Sequence, residues 1–126
     1  MTMTQLREQR SDLVARYNDA FRKFACLGIE PGHTIPGRLV VTPSVMEAGD
    51  GFVPAAIRAV GEQDTFDPEN DPDGRHDFGA VTIQKQNVFW KIHLYEEGSG
   101  FRCGAETPED PKTTVRVLTI MLASDW

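Results

Sequence analysis

The fold of this chain is constrained most strongly by two segments in which apolar and other residues alternate, separated by three polar residues. In residues 88–95, apolar side chains occupy every second position, and residues 80–84 show the same period over a shorter stretch. A period of two is the side-chain repeat of a β-strand with one buried face. Lys85-Gln86-Asn87 is short enough to join the two strands. The sequence therefore predicts an antiparallel β-hairpin over residues 80–95.

Two further strands are predicted on either side of this hairpin in the chain. In residues 114–123, one face of the predicted strand carries Arg116, Leu118, Ile120 and Leu122. The other face carries Val115, Val117, Thr119 and Met121. Apolar residues on both faces are typical of a central strand. Arg38 to Thr42 predicts a shorter strand that ends at Pro43, and residues 43–52 show no regular period.

Helical spacing of apolar residues predicts two helices. The first covers residues 5–26, with a capping box at Thr2 and Gln5 and a stop at Gly28. Its apolar stripe consists of Leu6, Leu13, Tyr17, Ala20, Phe21 and Phe24. The second helix covers residues 53–60 and is expected to end at Gly61.

The order of these elements predicts one α+β domain over residues 1–126. Its sheet is expected to be antiparallel, with about four strands. The N-terminal helix and the second, short helix are expected to pack on one face of that sheet. A chain of 126 residues is long enough to bury one core.

The negative charge of the chain is concentrated in one segment. The formal net charge is −6, from 19 acidic and 13 basic residues. Residues 62–77, which we call the acidic segment, hold seven acidic residues and a single arginine. Nucleic acid and anionic membranes attract positive potential. We therefore expect neither direct nucleic-acid binding nor membrane association.

The first residues and the two cysteines predict the compartment. Residues 1–5 are polar and lack the apolar core of a signal peptide, and no apolar run approaches the roughly 20 residues of a membrane helix. Cys26 and Cys103 have no other Cys or His at metal-binding spacing and are predicted to be reduced thiols. We expect a cytoplasmic protein with no cofactor and no bound metal.

Four motifs follow one another along the chain: Tyr17 to Arg22, Asn70 to Gly79, Phe89 to Ile92 and Thr114 to Ala123. Together they resemble a bacterial family known as domain of unknown function 3768. The resemblance implies a small cytoplasmic protein of alphaproteobacteria, encoded near accessory genes of plasmids or integrative elements, and it implies no activity.

Two positions depart from the pattern of that family. Arg75 stands where the family pattern has Glu, and His93 stands where it has Asp. Both side chains can carry positive charge where the family has an acid. The departures make a bound metal less expected here than in the family.

The candidate catalytic residues lie in the segment that begins with Asn70-Asp71-Pro72, which we call the Asn-Asp-Pro turn, and in the hairpin. A histidine flanked by carboxylates is suited to general acid–base work. The alternative function is therefore a small hydrolase or metal-assisted enzyme that uses His76, Asp77 and Asp71, with Lys91 and His93 nearby. No nucleophile motif accompanies them. The structural interpretation is that Asp77 and His76 bond loop backbone groups and hold the turn on the sheet.

The preferred interpretation is a non-enzymatic interaction module with an acidic surface loop. Six net negative charges within 16 residues would attract a basic protein partner or imitate the phosphate charge of DNA. The residues expected to bind are Glu69, Asp71, Asp73 and Arg75. The association of the family with mobile elements extends this to an accessory or anti-defence protein of such an element. The oligomeric state is left open.

Overall fold

The chain forms three α-helices and one four-stranded sheet. A computed structural model describes all residues, 1–126. The elements are α1 (Met3–Leu27), β1 (Gly37–Val41), α2 (Pro43–Met46), α3 (Phe52–Glu62), β2 (Phe78–Ile83), β3 (Gln86–Glu96), β4 (Thr114–Leu122) and a final 3₁₀ turn (Ala123–Asp125). The predicted α+β class is confirmed.

The sheet is mixed, so the prediction of a purely antiparallel sheet is wrong in one pair. The strand order is β1-β4-β3-β2, with β2–β3 and β3–β4 antiparallel and β1–β4 parallel. A parallel neighbour needs a long crossover, and the chain between β1 and β4 contains two helices and the whole hairpin. β4 lies between β1 and β3, which confirms its prediction as a central strand.

The hairpin and the irregular segment both differ from expectation in detail. Gln84 and Lys85 form a two-residue turn with φ of 50° and 68°, and Gln86 already pairs with Ile83. Positive φ at both positions matches the twist of the two strands. Residues 43–52 were expected to be irregular, yet they include the single turn of α2, which is too short to show a period.

α1 has the predicted ends but a narrower buried face. Thr2 and Gln5 form the capping box, and Gly28 ends the helix with φ of 73°. Leu6 and Phe24 belong to the predicted apolar stripe but are 41% and 42% exposed. The buried face instead includes two polar residues, Asn18 and Arg22.

The core lies between the helices and one face of the sheet. Its cluster joins Phe21 of α1 to residues of α3 and to alternate residues of β3 and β4: Phe52, Ala56, Val60, Val88, Trp90, Ile92, Leu118 and Ile120. α1 and α3 therefore pack on the same face, which we call the helix side. The opposite face of the sheet, which we call the helix-free side, has no helix against it.

The sequence predicted that α3 ends at Gly61, and this prediction is wrong. The helix continues to Glu62, and Gly61 is buried against α1. A Cβ at Gly61 would lie 2.7 Å from Cys26 Cβ and 2.6 Å from Leu27 Cγ. The missing side chain therefore serves the close approach of α1 and α3.

The two thiols should react at very different rates. Burial raises the pKa of the Cys26 thiol to about 11, more than nearby Arg22 lowers it, whereas Cys103 is exposed. Because the thiolate is the reactive form, we expect iodoacetamide at mildly alkaline pH to modify Cys103 at least about tenfold faster. Peptide mass spectrometry of timed samples measures both rates. Equal rates in the folded protein, as expected in denaturant, would contradict the buried position of Cys26.

Candidate functional site

The five residues proposed for acid–base chemistry lie in two separate groups. Asp71 contacts His76, and His76 Nδ1 lies 2.9 Å from Asp19 Oδ2 of α1. Asp77 and Lys91 form an ion pair on the helix-free side, with Lys91 Nζ donating to Asp77 Oδ2 at 3.1 Å. His93 lies two residues beyond Lys91 on the same face of β3. The structure therefore brings His76 together with Asp71, but not with Asp77.

His76 is held by a hydrogen bond on one ring edge and by stacking on one ring face, and a second carboxylate lies near its other edge. Its Nδ1 donates to the Asp19 carboxylate, and its Nε2 lies 3.8 Å from Asp71 Oδ2. The Phe66 ring stacks on the imidazole at 4.0 Å between centroids, with an interplanar angle of 2°. A carboxylate bonded to one ring nitrogen fixes the tautomer and orientation of a histidine. Here the result is an oriented imidazole, about one third exposed.

Asp71, and not Asp77, supports the backbone of the turn. Its carboxylate accepts hydrogen bonds from the main-chain N–H of Arg75 at 3.0 Å and of His76 at 3.1 Å. His76 has a φ of 55°, a left-handed conformation that needs such support in a residue other than glycine. The side chain of Asp77 bonds Lys91 instead. The interpretation that Asp77 holds the loop backbone is therefore wrong.

Arg22 links α1 to the end of α3. Its Nη1 donates to the carbonyl oxygens of Val60 at 2.7 Å and Gly61 at 3.1 Å, and its Nη2 pairs with Asp19 at 3.1 Å. A guanidinium at this end of a helix satisfies carbonyl groups that have no partner within the helix and complements the helix dipole. The side chain is fully buried, so these bonds compensate for its lost hydration.

Asn18 bridges a second buried arginine to the turn. Its Oδ1 accepts from Arg116 Nε at 2.8 Å, and its Nδ2 donates to the Arg75 carbonyl at 2.9 Å. Arg116 also donates to the carbonyl of Pro108 at 3.2 Å, and no carboxylate pairs with it. Burial lowers the pKa of Arg116 to about 10, although Tyr17 acts in the opposite direction. The contacts of Asn18, Asp19, Arg22, Asp71, His76 and Arg116 form what we call the helix-side network.

The residues predicted to bind a partner differ in their access to solvent. Glu69 and Asp73 are exposed and form no ion pair, whereas Asp71 is only 7% exposed and is used within the turn. Arg75 is half-buried and lines a shallow groove together with Arg7 and Arg10 of α1. Of these four residues, only Glu69 and Asp73 therefore present free carboxylates at the surface.

An aromatic cluster lies on the helix-free side next to these carboxylates. Phe78, Phe89 and Trp126 pack edge to face, with ring centroids 5.1–6.0 Å apart. They line an open groove of about 480 Å³ whose other walls include Glu69, Asp73, Asp77 and Lys91. Trp126 is 69% exposed. The ring of Trp126 lies over this face of the sheet, against Phe78 and Phe89.

The surroundings of His93 on the helix-free side favour its neutral form. Partial desolvation lowers the pKa of the His93 imidazole, and the neighbouring ammonium of Lys91 lowers it further. Arg75 and His93, the two departures from the family pattern, lie in different surroundings, the first beside α1 and the second on the helix-free side.

The helix-side network lies apart from the main surface grooves. Asp19, Asp71 and His76 line none of the five main grooves. No group of three or more His, Cys, Asp or Glu side chains is arranged to hold a metal ion.

A lipid bilayer could not be crossed by any of the helices, since none is both long and apolar enough.

Sequence reasoning missed most of the helix-side network. Asn18 and Arg22 follow Val14 at intervals of four residues and so continue the buried face of α1. Arg116 shares a strand face with Leu118 and Ile120, which points to a buried guanidinium. Polar residues at buried positions of an apolar pattern were thus the signal that would have identified these three.

This fold and network define a small α+β protein in which distant motifs meet around one turn. A family model described as "Protein of unknown function (DUF3768)" matches residues 41–125. The match covers more than half of the chain, which therefore belongs to this family. It includes the Asn-Asp-Pro turn, the hairpin and β4, and it begins after the motif at residues 17–22. No curated protein and no solved structure matches the chain.

Proposed function

We propose that this protein acts by binding another protein, and that it binds through the acidic segment and the adjoining helix-free side of the sheet. The observation that carries the proposal is a set of exposed carboxylates without cationic partners. Glu69 and Asp73 form no ion pair, and Asp67 accepts only from the main-chain N–H of Glu69. These groups lie beside the aromatic cluster of the helix-free side, whose Trp126 ring is exposed.

The remaining acids of the segment are paired within the protein. Lys23 pairs with Asp64 at 2.8 Å and Arg58 pairs with Glu62 at 2.8 Å, while Lys91 holds Asp77. Fewer acidic residues are therefore free to bind a partner than the sequence indicates. They are concentrated on the loop around residues 67–73. A basic surface on the partner complements this charge.

The contacts of the catalytic candidates favour binding over catalysis. Asp71 is used by two main-chain amides, and the side chain of Asp77 bonds Lys91 and not His76. General acid–base catalysis needs the acid, the base and the substrate within hydrogen-bond reach of one another. The oriented pair of Asp19 and His76 lines none of the five main surface grooves.

The narrower role rests on the family resemblance alone. That role is an accessory or anti-defence protein of a mobile element, acting in the cytoplasm of an alphaproteobacterium. A DNA-binding protein would be a suitable basic partner, because the carboxylates of the acidic segment can bind the basic residues that otherwise bind DNA phosphates.

Reversing the free charges is expected to abolish partner capture. The variant carries Glu69→Lys and Asp73→Lys, which replace two exposed carboxylates. Affinity capture from host lysate, followed by quantitative mass spectrometry, compares this variant with the wild type. We expect at least about a tenfold loss of the captured partner, since like charges then face each other across the interface. The amount of partner retained by the wild type should also decrease as the salt concentration increases.

A second double variant provides the matched control. Glu8→Lys and Asp50→Lys change the net charge by the same amount at exposed positions outside the acidic segment. The control is expected to capture as much partner as the wild type. Equal capture by all three proteins, or equal loss in both variants, would contradict binding through the acidic segment.

A further inference from the structure

We infer that the aromatic groove on the helix-free side receives an arginine side chain of the partner, an inference that deepens the proposed function and rests on it. The groove has an aromatic floor, formed by Phe78, Phe89 and Trp126. Its rim carries carboxylates. The two features together match the two faces of a guanidinium group, which stacks on aromatic rings and donates to carboxylates from its edge.

The floor offers an exposed ring to a cation. Trp126 is 69% exposed, while its indole is supported by Phe78 at 5.1 Å and Phe89 at 6.0 Å between centroids. Tryptophan gives the strongest cation–π attraction among the aromatic side chains. The same chain already shows this contact elsewhere, since the Arg38 guanidinium lies 4.2 Å from the centroid of the exposed Phe101 ring.

The rim provides charge complementarity to a cation. Three carboxylates line the groove, from Glu69, Asp73 and Asp77, against the single ammonium of Lys91. That ammonium bonds only Oδ2 of Asp77, so Oδ1 of Asp77 and both oxygens of the other two carboxylates have no protein partner. Among the residues that line the groove, negative charge therefore exceeds positive charge by two, although Asp73 also borders the neighbouring groove that Arg7, Arg10 and Arg75 line.

Arginine fits this arrangement better than lysine does. A guanidinium presents five N–H donors in a plane and can lie flat on an aromatic ring while it donates to carboxylates from its edge. An ammonium is a strongly hydrated point charge and loses more hydration on such a surface. The groove volume of about 480 Å³ accommodates one such side chain together with its neighbours on the partner.

The test is an NMR titration of the whole chain with N-acetyl-arginine amide. We expect the indole N–H resonance of Trp126 to shift, together with main-chain resonances of Phe89 and Lys91. N-acetyl-citrulline amide is the matched probe, because it has nearly the same shape without the charge. We expect it to bind at least about tenfold more weakly, since both cation–π and ion-pair contacts require the charge.

Two variants locate the binding in the groove. Trp126→Leu removes the exposed ring and should weaken binding of the arginine probe about tenfold. Phe101→Leu alters another exposed aromatic residue, outside the groove, and should leave the affinity unchanged. Equal shifts with citrulline, shifts confined to other surfaces, or concentration-dependent shifts without any probe would overturn the inference. The last of these would indicate a second copy of the chain in the groove.

The two experiments separate the inference from the proposed function. Loss of capture in the charge-reversed variant without arginine binding would leave the interaction module in place and reject the arginine. Arginine binding in the groove, with capture that ignores the acidic segment, would reject the proposed function and retain the chemistry of the groove.

Discussion

Gly79→Ala is expected to lower the free energy of unfolding by about 3 kcal/mol, because the new methyl group has no space. Gly79 lies directly opposite Trp90 in the β2–β3 pair and is buried. A Cβ at this position would lie 2.5 Å from Trp90 Cε2 and 2.6 Å from Gln63 Oε1. The indole lies across the position where that side chain would stand. Urea denaturation followed by tryptophan fluorescence measures the change.

The neighbouring hydrogen bond makes the indole difficult to displace. Trp90 Nε1 donates to Gln63 Oε1 at 2.9 Å, and the ring is fully buried in the core cluster. Movement of the indole would break this bond and disturb the contact with Phe66, whose ring centroid lies 6.1 Å away. The cost of Gly79→Ala is therefore expected to include both overpacking and a lost buried hydrogen bond.

Gly104→Ala is the matched control for this prediction. Gly104 does not have a positive φ, and the nearest atom to an added Cβ is the Leu94 carbonyl oxygen at 3.9 Å. We expect a change within about 0.5 kcal/mol, since a Gly to Ala change without strain mainly reduces the entropy of the unfolded chain. Similar losses for Gly79→Ala and Gly104→Ala would show that the close contact with Trp90 does not determine the requirement for glycine.

The elements with a local period were predictable from the sequence. The alternation at residues 88–95 identified β3, and the helical spacing identified α1 and α3, because side-chain period follows directly from local backbone geometry. The direction of β1 beside β4 has no local signal. It depends on the path of the chain through α2, α3 and the hairpin.

The helix-side network could not be assembled from the sequence, because its contacts join distant residues. Asn18 lies 57 positions from Arg75 and 98 positions from Arg116. The sequence assigned the support of the turn at residues 70–72 to Asp77 and His76, and its partners on α1 were not identified. The spacing of Asp19 and Lys23 is typical of an ion pair within a helix. Instead, Lys23 pairs with Asp64, and Asp19 pairs with Arg22 and His76.

Asp71→Ala is expected to lower the free energy of unfolding by about 3 kcal/mol, whereas Asp77→Ala should cost about 1 kcal/mol or less. Loss of the Asp71 carboxylate leaves the main-chain N–H groups of Arg75 and His76 without their acceptor in a partly buried turn. It also removes the support for the positive φ of His76. Asp77 pairs with Lys91 where both side chains are about one quarter exposed, so water replaces much of the lost contact.

Urea denaturation of both variants gives the two losses, and hydrogen exchange locates them. In Asp71→Ala, protection is expected to decrease first at the amides of residues 75 and 76. Asp71→Asn retains an acceptor oxygen without the charge, so an intermediate loss of stability is expected. A larger loss for Asp77→Ala than for Asp71→Ala would contradict the assignment of the turn to Asp71. It would instead favour the Asp77–Lys91 pair as the main support of the loop, and the helix-free side would then be a structural surface rather than a free one.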